Sequence, residues 1–224
     1  MSLKEFAKDI TTQGEVIKTI LISLVTSFGF LIILYLLKLR LIENFIPKYG
    51  FFLFFAILSY ALILPSIRQV RTYKQFPCMS GMMIGMTIGM IAGFLSGFYI
   101  GATNGMFIGT VFGMAIGIGL GAYNGKCCGI MGLMEGIMAG FMGGIMGAMT
   151  AVMLINEYLK LASVIMFLVS AVIMVGLKYM IFKETREFQK NGREDQFFTI
   201  FCSLLLTTLT VWIMVFGPRS LLFQ

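Results

Sequence analysis

Seven apolar stretches, each near the length of one bilayer crossing, alternate with short polar breaks along this chain. A helix needs roughly 20 apolar residues to cross a bilayer. That rule predicts spans at about 17–38, 50–67, 79–101, 104–122, 128–154, 161–182 and 197–216. Pro77 stands where the third helix can start, and Pro218 follows the last, where it can stop one. The one substantial polar loop, KETREFQKNGREDQ, separates spans six and seven. Ahead of the first span, Leu3, Phe6, Ala7 and Ile10 fall at helical spacing in a polar segment. That pattern fits a short helix on the membrane surface or a solvated N-terminus. The fold expected is an all-α, polytopic membrane bundle. Its parts are an N-terminal surface segment (1–16), two spans (17–76), a three-helix core (77–156) and two final spans (157–224) with a loop at 183–196.

Within the core, glycine occupies every fourth position from Gly81 to Gly129, thirteen times in succession. Glycine in a water-exposed helix is about 1 kcal/mol worse than alanine. In lipid, small residues spaced by four let helix backbones approach closely. The pattern predicts a glycine-zipper core of three closely packed helices, through Gly85, Gly89 and Gly93 on the first, Gly109, Gly113 and Gly117 on the second, and Gly136 and Gly140 on the third. Four residues advance 400° around a 3.6-residue helix, so the groove drifts about 40° per step and each helix should touch more than one close neighbour. The motif GMTIG…GATNG (85–105) recurs as GMFIG…GAYNG (105–125), one crossing later. Asn-Gly is turn chemistry, so spans three and four should form a hairpin with almost no loop. At 129→132 the spacing slips to three, which should turn the groove of span five to a shifted angle.

Composition agrees with a membrane class and narrows the chemistry. The chain has 224 residues, 58% apolar and 12% charged, against about 25% charged in soluble domains. Seven spans put twelve of the seventeen basic residues on the side of the N-terminus. The positive-inside bias therefore places the N-terminus in the cytoplasm, and the net charge of +7 implies no nucleic-acid partner. Tyr49, Tyr73, Trp212 and Phe216 look like interface anchors. With no histidine, a His-based metal site and a Ser-His-Asp triad are excluded. No nucleotide motif or carboxylate pair points to an enzyme.

Sulfur is the remaining chemical signal. Fourteen of the nineteen methionines fall between Met79 and Met153. On span five, Cys128, Met131, Glu135, Met138, Met142, Met146, Met149 and Met153 recur at three- and four-residue steps, as one stripe beside the glycines. Met82, Met86 and Met90 do the same on span three. Cys78, Cys127, Cys128 and Cys202 all fall in the cytoplasmic half, where disulfides are disfavoured. Thiolate and thioether ligands are soft and select Cu(I). The candidate ligands are Cys78, Met79, Met82, Cys127, Cys128, Met131, Glu135 and Met138. Methionine and cysteine also fill gaps beside glycine grooves with no metal at all. Glu135 is an acidic residue well inside a span, and an intramembrane carboxylate is by default a functional candidate.

The block CMSGMMIGMTIGMIAGF…GATNGMFIG…GKCCGIMGLMEGIMAGFMGGIMGAM resembles a glycine- and methionine-rich membrane domain of prokaryotes, associated with cupredoxin-containing membrane proteins and copper handling. The resemblance covers residues 78–153, and the chain itself holds no cupredoxin domain. It implies a prokaryotic inner-membrane protein and a copper-binding partner protein. Three functions are open at this point. One is soft-metal handling through Cys and Met. Another is a non-catalytic structural subunit of a homo-oligomer or larger membrane complex. The third is a proton or cation channel using Glu135.

Overall fold

The computed structural model describes residues 15–37, 49–72, 78–126, 129–155, 158–185 and 196–218. Its side chains are described for 21–32, 49–68, 70, 79–126, 129–155, 158–181 and 200–218. These residues form seven helices: α1 Glu15–Leu37, α2 Phe51–Thr72, α3 Cys78–Asn104, α4 Met106–Gly125, α5 Gly129–Met153, α6 Leu159–Thr185 and α7 Gln196–Phe216. No strand occurs among them. Helices α2 to α6 are each long and apolar enough to cross a bilayer, while α1 and α7 contribute shorter apolar stretches, Leu21–Ile32 and Ile200–Phe216. The protein is a helical membrane protein. Pro77 and the surface segment 1–16, apart from Glu15 and Val16 at the start of α1, lie outside the described residues.

Helices α3, α4 and α5 pack into a trio, and α1, α2, α6 and α7 gather on the other side of α3. Gly105 alone joins α3 to α4, at φ 110°, a conformation open to glycine and strained for other residues. Within the trio the glycines meet in layers. A methyl group added to Gly85 would stand 2.9 Å from the Gly125 Cα, and one on Gly89 3.0 Å from the Gly121 Cα. On Gly93 it would stand 2.8 Å from the Gly140 carbonyl oxygen, and on Gly97 2.8 Å from that of Gly144. Followed through, the contacts stack five layers: Gly85–Gly125–Gly132, Gly89–Gly121–Gly136, Gly93–Gly117–Gly140, Gly97–Gly113–Gly144 and Gly101–Gly109–Ala148. The register makes α5 parallel to α3 and α4 antiparallel to both. Where a side chain would begin, a glycine hydrogen faces a carbonyl of the next helix, the geometry of a Cα–H···O contact.

The three-residue slip falls in the first turn of α5, between Gly129 and Gly132. Gly129, at φ 74° and with no atom near its missing side chain, opens α5 after the turn. The groove then runs at four-residue steps through Gly132, Gly136, Gly140 and Gly144. Gly143 and Gly147 widen it by pressing on the carbonyls of Met90 and Phe94 in α3.

The other face of α3 carries large side chains. Ile84, Ile88, Ile91, Leu95 and Phe98 alternate steps of four and three, a coiled-coil spacing, and pack in one core with Leu53, Ile57 and Ile67 of α2. One helix thus serves two packing modes, backbone to backbone on one side and side chain to side chain on the other.

Candidate functional site

The stacking register decides which candidate ligands meet. Gly143 against Met90 and Gly147 against Phe94 set a constant offset between α5 and α3. Toward the helix starts, the first layer, Gly85–Gly125–Gly132, puts Cys78 and Met82 of α3 and Met131 of α5 at the same end of the trio, with Glu135 about one turn further along. Four residues read separately from the sequence therefore share one end of the trio. Met82 and Glu135 are half-buried there, and Met131 is 71% exposed. The turn between α4 and α5, which carries Cys127 and Cys128, is at the same end, because Gly125 and Gly132 share the first layer with Gly85. Cys127 and Cys128, and the side chain of Cys78, lie outside the described residues.

The methionine stripe needs a correction. It does not run beside the glycines; it lies on the opposite side of α5. Met138 is 63% exposed, and Met142, Met146, Met149 and Met153 are exposed with it, while Gly136, Gly140, Gly144 and Ala148 are buried. Glycine at 140 and methionine at 142 or 138 are separated by about 160–200° around the helix. On α3, Met79, Met83, Met86 and Met90 are likewise exposed. Met86 and Met90 of α3 and Met142 and Met146 of α5 are thus all on the outside of the trio. Among the described residues, no group of three or more Cys, Asp or Glu side chains gathers to hold a metal.

Cys202 is a free, half-buried thiol early in α7. Asn104 ends α3 as the turn chemistry required, but its amide also reaches another helix. Its Nδ2 donates to the Ile213 carbonyl of α7 at 2.6 Å, and its Oδ1 accepts no hydrogen bond from the described residues. Asn124 Nδ2 donates to Leu120 of its own helix at 2.8 Å. Trp212 and Phe216 are exposed, with ring centroids 5.4 Å apart, whereas Tyr49 is buried, contrary to its reading as an anchor. Tyr73 lies outside the described residues.

A buried hydroxyl seam was missed at the sequence level. Ser59 of α2 and the Tyr99 hydroxyl of α3 are 3.2 Å apart, and Thr26 of α1 and Ser203 of α7 are 3.5 Å apart. Ser23, Ser66, Thr207 and Thr210 are buried nearby on the same helices. Most of these groups also donate to their own helix, as Thr207 does to Ser203 and Thr210 to Leu206. The signal was available in the three- and four-residue steps of Ser203, Thr207 and Thr210.

The sequence matches no protein-family model, and neither the curated proteins nor the solved structures provide a match.

Proposed function

We propose that this multi-pass protein holds a soft monovalent metal ion, Cu(I) in its chemistry, at the end of the α3–α5 seam. The observation that carries the reading is the parallel register of those two helices, which brings Cys78, Met82, Met131 and Glu135 to one end of the trio. Thiol and thioether donors suit Cu(I) better than harder ions. The Glu135 carboxylate supplies negative charge for a bound cation. Cys127 and Cys128, in the turn at the same end, would complete the capture site, with Met79 and Met138 on its outer edge. The resemblance of residues 78–153 points the same way. The membrane would be the prokaryotic inner membrane, with the N-terminus and the thiols on the cytoplasmic side, and a copper-binding protein would deliver or receive the ion. Purified protein should bind silver or copper at a fixed stoichiometry. A variant combining Cys78→Ser, Cys127→Ser, Cys128→Ser and Met131→Leu should bind at least tenfold less. Unchanged binding in that variant overturns the proposal.

A non-catalytic structural subunit is the second reading, favoured by the four all-glycine layers and the fifth closed by Ala148, which make the trio a rigid block with an apolar outer surface. On that reading Gly109→Leu or Gly113→Leu abolishes assembly, and Met→Leu changes on α5 leave it intact. A channel using Glu135 draws the least support. The trio has no space for even a methyl group between its backbones, and Glu135 lies on the side of α5 turned away from them.

A further inference from the structure

Serine and threonine hydroxyls on these helices mostly meet their own backbone. Thr87, Thr110, Thr150 and Ser170 each donate to the carbonyl four residues back, a standard arrangement within a helix. Three buried hydroxyls are left over. Ser23 of α1 and Tyr60 and Ser66 of α2 are each at most 2% exposed and have no hydrogen-bond partner among the described residues. Ser66 has the same option on the Leu62 carbonyl and does not take it. Tyr60 stands about 14 Å along α2 from Phe51, near the middle of a hydrocarbon layer about 30 Å thick. Bulk water does not reach that depth, and a polar group left dry there is costly.

The groups around Tyr60 define what can satisfy it. Thr210 of α7 and Tyr99 of α3 are its polar neighbours, and neither stands in hydrogen-bond geometry to it. The Thr210 hydroxyl donates to Leu206 at 3.0 Å, so toward Tyr60 it can only accept. Ser59 gives its proton to Phe55 at 2.7 Å, so Tyr99 donates to Ser59 and keeps its lone pairs for accepting. The junction therefore offers one donor, Tyr60, and two acceptors. A water molecule accepts one hydrogen bond and donates two, which matches that set. An anion would face two acceptors. A cation would face the Tyr60 proton, with no buried carboxylate among the described residues to balance its charge. Further along α2, Pro65 has no N–H to give the Ala61 carbonyl. Ser66 follows it, on the face of Ser59 seven residues earlier. Ordered water is one of the means by which membrane helices satisfy groups freed at a proline.

We propose that the junction of α2, α3 and α7 binds ordered water in the middle of the membrane, centred on the Tyr60 hydroxyl and extending to Ser66 at the Pro65 break. The site uses none of the soft-metal ligands and stands whether or not that reading holds. The test is X-ray radiolysis of the full chain in lipid nanodiscs prepared in heavy-oxygen water. Radicals formed from bound water label only the side chains beside it. Tyr60 should take up heavy oxygen at least tenfold faster than Phe112, a buried ring on α4. Labelling below that ratio overturns the proposal, as does labelling that sodium or chloride suppresses, which would mean an ion holds the site. Tyr60→Phe gives a second reading, because it removes the hydroxyl and keeps the ring. A dry, unpaired hydroxyl costs stability, so its removal would raise the thermal midpoint, and a raised midpoint overturns the proposal. A hydrated hydroxyl predicts a lowered or unchanged midpoint. Ser66→Ala supplies the same comparison should Tyr60→Phe fail to fold.

Discussion

Single glycines in this protein differ sharply in what they do, although the sequence spaces most of them alike. Gly117 and Gly119 are two residues apart on α4. A methyl group on Gly117 would meet the Gly140 carbonyl oxygen at 2.7 Å and the Gly93 Cα at 2.8 Å, whereas nothing lies within 4 Å of the same position on Gly119. Overpacking a close-packed site costs about 1–3 kcal/mol. Gly117→Ala should therefore destabilise the trio by at least that amount in a denaturant titration in detergent. Gly119→Ala should leave the midpoint unchanged or raise it, since alanine is the better helix former. Equal effects would contradict the layered packing. Most of this was legible beforehand. The fourfold repeat marked Gly85, Gly89, Gly93, Gly109, Gly113, Gly117, Gly136 and Gly140, and each of them lies in a layer. The direction of the methionines was not legible, because a stripe at helical spacing defines a face without saying which neighbour it meets.

At the scale of elements, the helices lie close to the spans that hydropathy alone predicts, with shifts of a few residues at each end. The α3–α4 hairpin follows directly from Asn104 and Gly105, since one residue at positive φ reverses the chain. Its end is tied to α7 by the Asn104 amide on Ile213, where Gly217 also packs against Nδ2. A hydrogen bond between membrane helices contributes about 0.6 kcal/mol on average and up to about 1.7. Asn104→Leu should cost an amount in that range and loosen α7 while sparing the trio. Hydrogen exchange should then rise in 206–217 and stay unchanged in 109–147. Exchange that rises throughout would mean α7 and the trio unfold as one unit. The tie was invisible in the sequence, because Asn104 already had a sufficient local role and its partner lies 109 residues away.

The whole molecule has two halves that share α3 and differ in how they cohere. On one side, glycines bring backbones together. On the other, a heptad-like row of Ile, Leu and Phe and a seam of serine, threonine and tyrosine hydroxyls join α1, α2, α3 and α7. The length of α5 puts the Lys126 turn and the Ile155 turn at opposite ends of the trio. With the N-terminus cytoplasmic, a membrane-impermeant thiol reagent should modify Lys126→Cys only from the cytoplasmic side and Ile155→Cys only from the other, in a cysteine-less background. Reversed labelling would invert the orientation and move the proposed ligands to the opposite surface. By itself the sequence determined the number and limits of the helices, the hairpin and the glycine contacts. Those depend on local hydrophobicity, backbone conformation and the absence of a side chain, all properties of short stretches. The tertiary structure alone decided the parallel register that brings Met82 and Glu135 to one end of the trio, the outward turn of the methionines and the hydroxyl seam. Each is a relation between helices far apart in the chain, fixed only when their surfaces meet.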